Sequence, residues 1–235
     1  MAKHCPPSHE APSRLSTGRI VSTWWPLALS WLLMAAEGPA LSAVAARLPN
    51  PEINLAAFGG VVYPLALIIE APIIMLLSAS TALSKDMDSY RKLKRFMMLM
   101  GGVLTTVHVL LAFTPLYDVV VVGLIRPPAE IVEPARTGLM IMVPWTWAIA
   151  YRRFKQGVLI RFGYARSVGL GTFVRLGADA IVLTAGYLIG TVPGAAVAAT
   201  ALAIGVVSEA IYAGVRARHV VESQLKDAPP VEEPL

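Results

Sequence analysis

An all-α membrane protein with six spans is the fold class this sequence predicts, and three observations predict it. Of its 235 residues 56% are hydrophobic and 15% charged, and the mean hydropathy is +0.62, too apolar for a domain that must present a polar surface to water. The chain divides into six long apolar runs. Lys and Arg gather on alternate connections between those runs, as they do when a polytopic protein takes one orientation in the bilayer.

A hydrocarbon core of about 30 Å needs roughly 20 helical residues per crossing. The expected spans are 22–46, 57–83, 96–116, 136–151, 168–190 and 195–215. The first follows a tail, 1–20, that carries Lys3, Arg14 and Arg19, is rich in Pro, Ser and His, and is expected to be disordered. The second span ends before Lys85, and Arg91, Lys92, Lys94 and Arg95 precede the third. The fourth is expected to stop at a basic connection holding Arg152, Arg153, Lys155, Arg161 and Arg166. Arg216 and Arg218 close the sixth, and the six-helix unit runs over 21–218, ahead of a second disordered tail, 219–235. The other connections are poor in positive charge, with Arg47 in one, Arg126 and Arg136 beside Glu130 and Glu133 in the next, and none at 191–194. The positive-inside rule then puts both termini in the cytoplasm and the protein in the inner cell membrane. Helices are expected because no repeated ten-residue alternating strands are present from which a barrel could close.

The net charge of +5 is accounted for by residues at span ends, so no nucleic-acid partner is expected. Cys5 is the only cysteine, which rules out an intrachain disulfide. There is no Walker A loop, paired-cysteine metal site, HExxH or GxSxG, and GLGTFVRLG lacks the strand-turn-helix setting of a dinucleotide fingerprint. No catalytic residue, cofactor or metal is therefore expected, and an intramembrane enzyme is the least favoured class.

Residues that lipid should exclude carry the functional reading. Glu37, Glu70, His108, Arg175, Asp179 and Glu209 all fall inside apolar runs, where an ionised group costs roughly 2.5–3.5 kcal/mol unless it faces protein or water. Glu37 and Glu70 each stand two residues before a proline, Pro39 and Pro72, which frees the carbonyls of Ala35 and Ile68. A carboxylate beside a freed carbonyl suits a proton or a cation, but a protonated carboxyl that joins two helices would look the same. Arg175 and Asp179, four apart, share a face with Gly171, Ala178, Val182 and Gly186. They form either a self-neutralising pair or a contact for an anionic substrate. Glu209 is expected to snorkel toward the interface near Arg216, and His108 to make a helix contact.

WWPLALSWLLMAAEGPALSAVAARL followed by LAAFG resembles the opening of multidrug and toxin extrusion (MATE) transporters, with a proline-initiated first helix that carries an acidic residue. PWTWAIAYRRFKQGVLIRFGYARSVGLGTFVRLGADAIV is similar to that family's fourth-to-fifth helix passage, with Arg152, Gln156 and Gly157 matching an Arg-x-x-x-Gln-Gly pattern. Both point to the multidrug/oligosaccharidyl-lipid/polysaccharide (MOP) flippase superfamily. The basic run YRRFKQGVLIR makes the chain more similar to its progressive ankylosis (ANK)-like and lipid-flippase branches, which implies anionic substrates. MOP transporters have twelve helices in two lobes, and the resemblance covers about one lobe, residues 20–220.

The expectation is thus a half-transporter, an ion-coupled secondary transporter, antiporter or flippase. It would act with membrane lipid around it and with a second copy or a second six-helix lobe beside it. Glu37 and Glu70 would bind the coupling ion, H+ or Na+, and Arg152, Arg153, Arg175 and Asp179 a small anionic or lipid-linked substrate. The alternative is a nontransporting membrane scaffold, or a truncated half whose charges only specify packing.

Overall fold

A computed structural model describes residues 17–225; of the two expected disordered tails, 1–16 and 226–235 lie outside the described residues, and 17–20 and 219–225 are helical. Within that range the chain is helical, with no strand among the described residues. The helices are α1 (Thr17–Ala45), α2 (Pro51–Ala57), α3 (Tyr63–Ile74), α4 (Leu76–Leu83), α5 (Met87–Phe113), α6 (Ala129–Arg161), α7 (Ala165–Ile189) and α8 (Gly194–Val220).

Five stretches are long and apolar enough to cross a membrane: Ile20–Ala45, Pro51–Leu83, Met87–Phe113, Ala165–Ile189 and Gly194–Leu225. The second of these joins α2, α3 and α4 through a π-helical turn at Phe58–Val62 and a break at Met75. Both irregularities have a local cause. Pro64 offers no N–H to Gly60, and the break falls three residues after Pro72, which offers none to Ile68. Pro39, by contrast, lies inside an unbroken α1.

α6 is the hub. It packs against α8, α5, α4 and the α2–α3 stretch, while α7 lies on α8 and α1 covers α7. Its 33 residues span about 50 Å, yet its uncharged part, 137–151, spans only about 22 Å. The expected fourth span stops at that charge boundary. The helix does not: it runs on to Arg161, because Arg152, Lys155 and Gln156 find partners in neighbouring helices and nothing ends the helix until Gly163. Gly163 has φ +82°, a left-handed conformation that glycine adopts freely, and Gly190 ends α7 the same way at φ +70°. The basic fourth-to-fifth connection is therefore reduced to 162–164, and Arg152, Arg153 and Lys155 are helix residues rather than loop residues.

Close helix crossings use small residues. Ser80 of α4 sits against Gly157 of α6 and donates from Oγ to the Phe154 carbonyl at 2.8 Å. Asp86 caps α5 by accepting from the Ser89 N–H at 2.8 Å. Arg161 donates to the carbonyls of Thr81 and Ala82, and Gln224 to the Tyr164 hydroxyl, so the ends of α4, α6 and α8 meet at one pole with the start of α5. That pole holds Lys85, Arg91, Arg166, Arg216 and Arg218. At the opposite pole Asn54 of α2 accepts from the Ala195 N–H at 3.1 Å, joining α2 to the start of α8.

The outer faces are apolar. Trp24, Trp31, Leu32, Ile68, Leu99, Ile181 and Leu188 are all more than half exposed, a surface suited to lipid rather than water.

Candidate functional site

Ionisable and amide side chains from α1, α3, α6, α7 and α8 meet inside the bundle. Glu37, Glu70, Arg152, Gln156, Arg175, Asp179 and Glu209 are all buried. Two carboxylates organise the group. Glu209 on α8 accepts from the Arg152 guanidinium and, at 2.9 Å, from the Gln156 amide, both on α6 one turn apart. Glu37 on α1 accepts twice from Arg175 on α7, once from Nε at 2.7 Å and once from Nη2, a two-point contact that fixes the guanidinium plane. Arg175 Nη1 lies 3.9 Å from Glu209 Oε2, which links the two pairs into one chain of charge.

Arg175 is thus not the intrahelical partner of Asp179 that the four-residue spacing suggests. Its fork turns across to α1, where Glu37 can meet two N–H groups in one plane. Neither oxygen of Asp179 receives a hydrogen bond. Its carboxyl lies near that of Glu37, and two ionised carboxylates have no proton to donate to one another. Asp179 is also pressed against α8 at Gly205, where a Cβ would collide with Oδ1. Gly171 of α7 similarly faces the Glu209 side chain, with its Cβ position 3.4 Å from Cγ. These two glycines let α7 and α8 approach closely enough for their acids to share one centre.

Glu70 reaches the same region. It is close enough to feel Arg152, Arg153 and Arg175, and its Oε2 is buried without a hydrogen-bond partner. Arg153 lies 5.7 Å over the Trp31 ring, and its Nε is likewise buried and unpartnered. A cavity of about 100 Å³ between α1, α4, α6 and α7 is lined by Trp31, Arg152, Arg153, Gln156 and Thr172.

The predicted coupling residues and the predicted substrate residues therefore belong to one centre, not two. Arg152 is 1% exposed and committed to Glu209, whereas Arg153 is only partly buried. Glu209 does not snorkel, because Arg152 and Gln156 hold it inward. In the sequence Gln156 stands out only through a motif, and the signal that can assign it is its spacing of four from Arg152. His108 stands apart, with Nδ1 2.7 Å from the Thr146 hydroxyl and Nε2 3.0 Å from the Leu139 carbonyl, tying α5 to α6. Among the described residues no group of three or more His, Cys, Asp or Glu is placed to hold a metal ion.

No family model, curated protein or solved structure matches this chain. Counting Glu37, Glu70, Asp179 and Glu209 against Arg152, Arg153 and Arg175, acids exceed bases by one, and the surplus acid has no donor. One proton or one monovalent cation would balance the set.

Proposed function

We propose that the chain is a six-span MOP-type lobe acting as an ion-coupled secondary transporter or flippase for a small anionic or lipid-linked substrate. In this reading α6 is the fourth of six crossings, added to the five apolar stretches, its internal charges neutralised by Glu209 and by the groups around it, and both termini face the cytoplasm of the inner membrane. A second copy or second lobe completes the central cavity. The observation that carries the reading is the unpaired Asp179 carboxyl beside Glu37 in a buried centre with one acid in excess. A transporter needs a site whose protonation changes the stability of one packing over another, and an unbalanced acid pair between α1 and α7 meets that need. Glu70, with a free oxygen facing the arginines, is the second coupling candidate. Glu37, held by Arg175, serves as partner rather than sole carrier.

Asp179→Asn is expected to keep or slightly raise stability, since it removes an unpaired buried charge and its amide can donate to Glu37. The same change should abolish gradient dependence when proteoliposomes under an imposed pH or sodium gradient are assayed with a panel of organic and inorganic anions. It should also remove a protonated-carboxyl band from infrared difference spectra taken across a pH jump. Scaffolding is a second reading, favoured by the closed Arg152–Glu209 and Arg175–Glu37 pairs. It would stand if the native protein moves no anion under either gradient and the Asp179→Asn spectrum is unchanged.

Orientation is tested by single cysteines in a Cys5→Ser background. Ser89 is buried beside Asp86, so the exposed Lys92 is the better position at the basic pole, paired with the exposed Ala129 at the other. Lys92→Cys should react with an impermeant maleimide only from the cytoplasmic side, and Ala129→Cys only from outside. Reaction of both from one side would remove the six-span arrangement.

A further inference from the structure

Away from the charged centre, α5, α6 and α8 enclose an open groove of about 880 Å³. No residue of the centre lines it. Along α6 the groove runs from Pro144 to Lys155, and along α8 from Val207 to Arg218, each a rise of about 16 Å. That is close to half of a hydrocarbon core of about 30 Å, so the groove extends one leaflet deep. Its inner part is apolar, walled by Pro144, Trp147, Val207 and Ile211.

The end toward the basic pole is different. Lys155 is 6% exposed, donates from Nζ to the Tyr90 hydroxyl at 2.8 Å, and sits 5.3–5.5 Å from the rings of Tyr90, Tyr151 and Phe154. One phenol oxygen uses one of the three ammonium protons. Lys94, one turn along α5 from Tyr90, is exposed and near enough to Lys155 for the two charges to repel. Among the described residues no carboxylate pairs with either lysine, and the one acid on the rim, Glu222, is held by Arg218 at 2.9 Å. A buried ammonium with spare donors beside a second cation, at the head of an apolar trough one leaflet long, has the complement of an anionic amphiphile.

We propose that this groove binds one anionic phospholipid from the leaflet at the basic pole, its phosphate between Lys94 and Lys155 and an acyl chain along Pro144, Trp147 and Ile211. The bound phosphate relieves the repulsion between the lysines and uses the free Lys155 donors. The chain covers the apolar wall that α5 and α8 leave open. The site is independent of the transport reading, because it shares no residue with the Glu37–Asp179 centre.

Native mass spectrometry of the full chain in mild detergent tests it, with phosphatidylglycerol, phosphatidylcholine and diacylglycerol as probes. Phosphatidylglycerol should be retained as one adduct per chain, phosphatidylcholine more weakly, and diacylglycerol least. Lys94→Gln, an exposed change that leaves the core intact, should weaken phosphatidylglycerol about 5-fold, and Lys94→Gln with Lys155→Gln about 30-fold. Lys92→Gln, on the same helix but outside the groove, should leave retention unchanged. Equal loss in Lys92→Gln and Lys94→Gln would reduce the effect to general surface charge and overturn the site. Displacement of the lipid by inorganic phosphate alone would make it a soluble-anion site. Retention that appears only after deletion of 226–235 would assign the groove to the chain's own tail, and a shift to dimer on delipidation would assign it to a second copy.

Discussion

Glu209→Leu is expected to destabilise the protein by about 3–5 kcal/mol, because it leaves the Arg152 guanidinium charged, buried and unpaired. Arg152 is 1% exposed, its Nε already lacks a partner, and the nearby Glu70 Oε2 makes no hydrogen bond to it, so Glu209 is the only carboxylate among the described residues that accepts from it. Arg152→Met should cost less, since the Glu209 carboxylate keeps the Gln156 amide at 2.9 Å and Arg175 Nη1 at 3.9 Å. The double change should cost less than the sum of the two, with a coupling of about 0.5–3 kcal/mol, because a methionine and a leucine can pack where two charges were. Unfolding in mixed micelles with increasing denaturing detergent measures all four proteins. Simple additivity of the two losses would mean that the pair does not hold α6 to α8.

The second large effect separates two assignments of the Arg175 partner. Arg175→Gln leaves Glu37 without its two-point donor and three carboxyls, Glu37, Asp179 and Glu209, around one centre, and a loss of about 3–5 kcal/mol is again expected. Adding Glu37→Gln should recover most of that loss. Adding Asp179→Asn should recover less, because Asp179 accepts no hydrogen bond from Arg175 and Glu37, which lost two, keeps its buried charge. The same detergent unfolding series decides the matter. Larger rescue by Asp179→Asn would restore the intrahelical pair that the spacing suggests and would remove α1 from the centre.

These variants also mark where a linear reading stops. Apolar run length and the alternation of Lys and Arg are carried by the chain itself, because lipid solvates each segment independently and a helix satisfies its own backbone. Five of the six expected runs overlap stretches with the length and hydropathy of spans, and the basic residues of 85–95, 161–166 and 216–218 do share one pole. The acids and bases singled out as misplaced in lipid, Glu37, Glu70, Arg175, Asp179 and Glu209, are all buried, since the energetic penalty that makes them conspicuous in sequence also drives them to face protein.

Pairing was decided only by tertiary structure. Spacing along one helix puts Arg175 within reach of Asp179, but nothing local says that α1 will bring Glu37 within two hydrogen bonds of the same guanidinium. The course of α6 past Arg152 is equally nonlocal. Charges read as the end of a span become interior when Glu209 waits on α8 and Tyr90 on α5, and that compensation depends on helices separated by more than fifty residues. Gly205 makes the same point from the opposite direction: in the sequence it is one small residue among many, and only the approach of Asp179 shows why a side chain there would not fit. Hydrophobicity is additive along the chain and so can be read from it, whereas the partner of a buried charge depends on where other helices place their donors and acceptors.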